Sequence, residues 1–325
     1  MRFFCYFANF LLVFFSQTLS AAENHSNYVI SEHASIQVRI PTESLAHDSI
    51  EIGTSIETSF TTWDDREHLN AFELMQHLIG VWKTHEIAHQ HLIYGQQSSY
   101  NNDQKPFVWQ VVPFQQSTII IDRVWRQLQV AMRIAFGGFQ LSTKSKQEIV
   151  NRYRNWWQNT PLKDSRVENN DHSDPFCNQE VIAKQSVLEG STVRVLYNYA
   201  PIGLGGEKLH FLIIPKKHRS RFENVSRDEY LEAMQLSHRL MQHFFQTRSV
   251  YQVYLLHKSG IDAGQTVPHW HMHLIVSTSK SQDFLGKLTV LKKILFGSTP
   301  MSDSELSQTV AVFRSEFKEL TTPDR

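Results

Sequence analysis

Residues 264–276 read Gly264-Gln265-Thr266-Val267-Pro268-His269-Trp270-His271-Met272-His273-Leu274-Ile275-Val276. Polar and apolar residues alternate here with a period of two, the pattern of a β-strand. Alternate side chains of a strand share a face, so His269, His271 and His273 stand in a row at intervals of about 6.6 Å. Trp270 and Met272 then turn to the core. A neutral imidazole carries a nitrogen lone pair near pH 7 and attacks an electrophile without prior deprotonation. Two other uses of the row stay open at this point: a solvated polar face, and a metal site built from His-x-His pairs.

Outward from this stretch, the chain divides in two. Sliding it by 162 residues lays 60–111 on 222–273 without a gap. Phe60 meets Phe222, Glu67 meets Glu229, and Leu69, Ala71, Leu74 and Leu78 meet Leu231, Ala233, Leu236 and Leu240. Gln90 meets Gln252, and Pro106 meets Pro268. Each copy opens a helix with a capping-box pattern, Asp64 with Glu67 and Ser226 with Glu229. Apolar residues then recur at helical spacing to about Trp82 and Phe245, and a strand-like run follows in both. At an offset of 160, Phe136-Gly137 falls on Phe296-Gly297, Arg154 on Arg314 and Trp157 on Phe317, so both halves end in a helix-forming segment. The polar stretch 159–175, with proline near each end, reads as the crossover between halves, with a boundary near 165.

Composition limits the possible functions. The 325 residues are 41% hydrophobic, ample for a packed core, and carry no net charge with histidine neutral. A charge-steered partner such as nucleic acid is therefore not expected. At the start, Arg2, the apolar run from Phe3 to Phe15 and the small residues Ser20-Ala21-Ala22 read as a cleaved secretory signal, residues 1–22. Export to a periplasm or the exterior follows, with no stable membrane association after cleavage. Cys5 leaves with the signal, so Cys177 stands alone and reads as a half-buried structural residue.

The triad stretch resembles the signature of histidine-triad (HIT) nucleotide hydrolases and transferases, His-φ-His-φ-His-φ-φ preceded by Gly-Gln-Ser/Thr-Val. A second block, Leu209-His210-Phe211-Leu212-Ile213-Ile214-Pro215-Lys216-Lys217-His218, resembles that family's strand ending in Ile-Pro-Lys-x-His. The resemblance covers about residues 175–320. It implies an α+β fold of two HIT-like repeats, each an antiparallel sheet with a central helix and a C-terminal helix, joined as an intrachain pseudo-dimer compatible with a monomer. Residues 23–164 would be a degenerate HIT-like domain and 165–325 the HIT domain with the intact triad.

By the same resemblance, His271 is the nucleophile that forms a nucleotidyl-histidine, its other ring nitrogen donating to the carbonyl of His269. His269 and His273 would bond the phosphate or each other, Gln265 and Thr266 would contact phosphate and leaving group, and His210 is the family's fourth histidine. Lys216, Lys217 and His218 read equally as a solvated strand end. Four departures stand out. Lys258 occupies the place of an asparagine, and Asn198 that of a ribose-binding aspartate; the resemblance still implies that both bind substrate. Extra residues within 202–209 lengthen the loop before His210. The zinc-binding Cys-x-x-Cys is reduced to Asp174-Pro175-Phe176-Cys177, so neither a structural zinc nor a cofactor is expected.

The expected activity is hydrolysis of a nucleoside phosphoramidate or dinucleoside polyphosphate through His271, with a nucleotide as the small-molecule partner. His273, where transferase-like members usually carry another residue, favours hydrolysis, while the two-copy layout resembles those transferases. The alternatives are a nucleotidyltransferase and an exported nucleotide- or protein-binding module of the same fold. In the first half the repeat sets Phe107, Trp109 and Val111 against the triad, leaving a copy without imidazoles kept for packing. One competing motif, His85-Glu86-Ile87-Ala88-His89, matches the zinc-protease pattern His-Glu-x-x-His. The repeat puts it where a helix runs into a strand, so residues four apart diverge.

Overall fold

The computed structural model describes residues 28–56, 58–99, 106–161, 174–204, 206–278 and 298–321. Residues 1–22, the boundary near 165, and Phe296-Gly297 lie outside them. Ten strands form one antiparallel sheet: β1 (Val29–His33), β2 (Ile36–Arg39), β3 (Ile50–Thr54), β4 (Gln90–Ser98), β5 (Val108–Phe114), β6 (Ser186–Glu189), β7 (Val193–Tyr197), β8 (Leu209–Pro215), β9 (Gln252–Ser259) and β10 (Met272–Ser277). Their order is β1-β2-β3-β5-β4-β9-β10-β8-β7-β6. Read from either end, each half repeats the same internal order, and β4 and β9 pair antiparallel across the seam from His91↔Ser259 to Ser98↔Gln252. The two halves thus form a pseudo-dimer within one chain.

The helices are α1 (Asp65–Thr84), α2 (Ile120–Phe136), α3 (Thr143–Asn159), α4 (Gln179–Gln185), α5 (Arg227–Thr247) and α6 (Asp303–Glu316). Both capping boxes form: Asp64 accepts from Glu67 and Ser226 from Glu229, with each glutamate returning to its cap residue's N–H. Ser226→Ala is expected to lower unfolding stability by about 1 kcal/mol, measured by denaturant titration. The apolar faces of α1 and α5 bury Leu78, Met75, Leu240 and Phe244 against one side of the sheet. The two helices meet at the seam, where Phe72 stacks on Tyr230 with ring centroids 4.4 Å apart.

The terminal helices also repeat. Arg154 of α3 donates to the carbonyl of Val29 at 2.9 Å, and Arg314 of α6 to that of Ser186 at 2.7 Å. Val29 and Ser186 begin the outermost strand of each half, β1 and β6, so the offset-160 alignment of the two arginines describes a real equivalence.

The gapless alignment fails over the last strand. Ile93 of β4 pairs with Val111, and its counterpart Leu255 of β9 pairs with Leu274. Val111 therefore corresponds to Leu274, an offset of 163, and one residue has been inserted between β9 and β10 relative to the first half. Phe107, Trp109 and Val111 belong to the main core, like Trp270, Met272 and Leu274. The triad's true counterparts are Pro106, Val108 and Gln110. The conclusion stands, since none of these is an imidazole, but the residues named from sequence were wrong by one register step. In a strand a single step exchanges the two faces.

The His-Glu-x-x-His reading also fails on geometry. Helix α1 stops at Thr84 with His85 as its C-cap, and Glu86 has φ +55°. His85 instead stacks on Trp156 at 4.3 Å. Among the described residues no helix is long and apolar enough to cross a membrane.

Candidate active site

Regular ladder pairing in β10 starts only at Met272, so His269 and His271 sit in the segment leading into the strand rather than within it. The alternation nevertheless extends back through them. Trp270, Met272, Leu274 and Val276 join the main core, and the three histidine rings turn to the other face. The rings of His271 and His273 are 4.9 Å apart, and Phe176 packs edge-on against those of His269 and His271.

Hydrogen bonds assign the ring tautomers. Nδ1 of His271 donates to the carbonyl of His269 at 2.7 Å, which leaves Nε2 with its lone pair bare. The backbone N–H of Ile202 donates to Nδ1 of His210 at 3.0 Å. His210 then carries its proton on Nε2 and donates to Nδ1 of His273 at 2.9 Å. His273, half-buried, is left with an Nε2–H to offer to a ligand. The lengthened loop before His210 thereby sets the donor at the far end of the row. Burial holds all three rings neutral: it lowers His271 to about 4 and His210 to about 3, and it pushes His273 well below the ordinary imidazole value.

His269 departs from expectation. It is wholly buried, with Nε2 on the carbonyl of Pro215 at 3.2 Å and Nδ1 3.3 Å from Oδ2 of Asp174. Both ring nitrogens are thus engaged within the protein, and the His269 carbonyl accepts from Nδ1 of His271. Gln265 accepts from the N–H of Gly260 at 2.7 Å and braces the same loop, while Thr266 is exposed. Asn198 accepts from the N–H of Ala200 at 3.0 Å, and its Nδ2 lies 3.3 Å from Nδ1 of His210. Lys216 folds back on the carbonyl of Gly190 at 2.5 Å, and Lys217 is exposed.

The reduced zinc motif nevertheless keeps a set of possible metal donors. Asp174, Cys177, His218 and His269 bring their donor atoms within 4.8 Å of one another, the one such gathering among the described residues. His218 Nδ1 lies 2.8 Å from Asp174 Oδ2, and Sγ of Cys177 lies 3.7 Å from Nδ1 of both histidines. With its proton on the Pro215 side, His269 aims a lone pair at a carboxylate. One carboxylate, one thiol and two imidazoles fit a closed tetrahedral zinc site. Loss of the second cysteine removed a motif but not the donor set, because Asp174 takes its place. His218, read from sequence as a possible strand end, is drawn in by the turn after β8.

Residues of the first half build the loop before the triad, and sequence reading missed them. The carboxylate of Asp262, buried, accepts from Gln90 at 2.6 Å and from Arg123 at 3.0 Å. Gln127 donates to the carbonyls of Ile261 and Asp262 at 3.1 and 3.0 Å. Arg123 and Gln127 are four apart on α2, one helical face; that spacing was visible, its target was not. Arg123→Ala is expected to lower kcat/KM roughly ten- to hundred-fold by loosening this loop, measured by steady-state kinetics.

Residues 179–280 match the HIT domain family. An uncharacterized HIT-like protein of Chlamydia trachomatis is 36% identical over 70 residues, which is 21% of this chain and 60% of that protein's length. Among solved structures, an ADP-glucose phosphorylase from Arabidopsis thaliana is similar over 88% of this chain and 85% of its own, at 11% identity and a TM-score of 0.46. The diadenosine triphosphate hydrolase of Plasmodium falciparum is similar over 43% of this chain and 80% of its own, at 15% identity and a TM-score of 0.31. The HIT domain match begins just after Cys177, so it includes His210 and the triad but not the Asp174–Cys177 turn.

Proposed function

We propose that this protein hydrolyses a phosphoanhydride or phosphoramidate bond of a nucleotide through a nucleotidyl-histidine on His271. The observation that carries this reading is the 2.7 Å bond from His271 Nδ1 to the His269 carbonyl, which leaves Nε2 unprotonated beside the Nε2–H of His273. The lone pair of Nε2 forms a bond to phosphorus as the bond to the leaving oxygen or nitrogen breaks, its electron pair departing with the leaving group. The positive charge that develops on the imidazole is stabilised through Nδ1–H by the carbonyl. His273 donates to a phosphoryl oxygen, where negative charge grows in the transition state. Water then attacks the same phosphorus. The nitrogen–phosphorus bond breaks, the nucleoside monophosphate leaves, and one proton of that water ends on the departed group.

A zinc ion, if bound, would be held by Asp174, Cys177, His218 and His269, where it would neutralise two anionic donors and fix the His269 segment. Purified protein is expected to contain about one zinc per chain, lost in Asp174→Ala, by elemental analysis.

Because burial holds His271 near 4, a protonated nucleophile limits the rate only in strong acid. The expected pH profile of kcat/KM shows no acid limb at 6.5, the ordinary imidazole value. A limb near 6.5 would mean that the nucleophile is solvated.

The test is a mid-reaction quench with adenosine phosphoramidate or a dinucleoside polyphosphate. A covalent nucleotidyl adduct, absent in His271→Ala, supports the enzyme; tight binding without an adduct assigns the chain to a binding module. Adding an acceptor phosphate separates transfer from hydrolysis. The N-terminal apolar run supports action after export, checked by the mass of the mature N-terminus.

A further inference from the structure

We infer that Lys258 forms a subsite for an anionic leaving group, so that the site selects nucleoside di- and polyphosphates over phosphoramidates. The inference rests on the hydrolase reading and names its substrate class. The last ladder pair of β9 with β10 is His257↔Met272. One step further, Lys258 lies across from His271 and, as directly opposed residues do, on the same face. Its neighbours on that face of β9, Leu256 and Tyr254, pack in apolar clusters, so Lys258 alone brings charge to the level of the nucleophile.

The position of the ammonium is fixed by the loop above it. A Cβ added at Gly264 would stand 3.4 Å from Nζ of Lys258 and 3.6 Å from its Cδ. The side chain therefore runs beneath the turn that leads into the triad, and Gly264, with φ +88°, leaves it room. Among the described residues no carboxylate or carbonyl accepts from Nζ. The titratable groups that feel its charge are His210, His271 and His273, and each is pushed further toward its neutral form by it. Lys258 is half-buried, and the loss of water lowers its pKa; a partly desolvated cation without a counter-ion is costly. Its missing partner is an anion that arrives with the substrate.

The attacked phosphoryl group already has Nε2 of His271 on one side and the Nε2–H of His273 beside it. A point charge one strand away suits the next phosphate along. When the bridging P–O bond breaks, its electron pair collects on the oxygen of that second phosphate, and the ammonium neutralises it. A phosphoramidate releases an amine, which gains nothing from a neighbouring cation.

Equilibrium binding tests this without requiring turnover. ADP and AMP are titrated calorimetrically into the full-length wild type, K258N and K258R, with thermal unfolding confirming that each variant is folded. Wild type and K258R are expected to bind ADP about ten-fold or more tightly than AMP, and K258N within about three-fold, the loss of one charge-assisted hydrogen bond. An unchanged ADP preference in K258N, or none in the wild type, overturns the inference. A Lys258-dependent preference without any covalent adduct on His271 keeps the subsite and removes the hydrolase. If neither nucleotide binds, the nucleotide reading fails, and pyrophosphate against orthophosphate on the same proteins decides the subsite by the same criterion.

Discussion

His271→Ala is expected to lower kcat/KM by roughly 10⁴-fold or more and to abolish the covalent adduct. The effect is large because no neighbour can substitute. His269 has both ring nitrogens engaged, on Pro215 and Asp174, and His273 accepts at Nδ1 from His210. His271 is the one ring of the row whose bare nitrogen lies on the side away from its backbone anchor. His273→Asn should be milder, because it removes a donor and leaves the attacking atom in place. Rapid-quench measurement of the adduct, beside steady-state rates, separates the two. Comparable losses in both variants, with adduct still formed in His271→Ala, would move the nucleophile elsewhere.

Separating the halves has the second largest expected effect. Expressed alone, residues 165–325 should be recovered as aggregate, and co-expression with 23–164 should restore soluble, adduct-forming protein. β9 is central in the ten-stranded sheet, and cutting at the seam turns it into a long unpaired edge. The cut also uncovers Tyr230 and Phe222, which pack on Phe72. It deprives Asp262 of Gln90 and Arg123, so the loop before the triad loses the contacts that brace it. Soluble yield and adduct formation are the readouts. A soluble, active 165–325 would reduce the first half to an appendage.

Acid should unfold the intact protein early. Burial lowers His68 and His91 to about 4 and His210 to about 3. The unfolded chain, titrating near 6.5, therefore binds more protons than the native one as pH falls through this window. Stability is full above about 6.5 and declines toward 4. Melting temperature against pH reads it directly.

Much of this was legible in one dimension. The alternation through His273 gave the face of the triad, because a period of two is a backbone property that no distant contact alters. The caps at Asp64 and Ser226 gave the two long helices, because a capping box closes within four residues. The pairing of Arg154 with Arg314 was a correct equivalence found by offset alone.

The chemistry that depends on distance in sequence was not legible. Asp174 reads as a lost zinc ligand until the fold brings it against His218 and His269, 44 and 95 residues away. The same packing engages both ring nitrogens of His269, on Asp174 and Pro215. The inserted residue that shifts the triad's counterparts from Phe107, Trp109 and Val111 to Pro106, Val108 and Gln110 appears only in the ladder registers.

By itself, then, the sequence determined what is local: two capped helices, a row of imidazoles, and a duplication with those imidazoles in one copy. Tertiary structure alone decided which nitrogen of each ring is free, which half braces the loop, and where Lys258 points. Those properties are set by partners remote along the chain, and a hydrogen bond or a desolvated charge depends on position in space, not on order in the polymer.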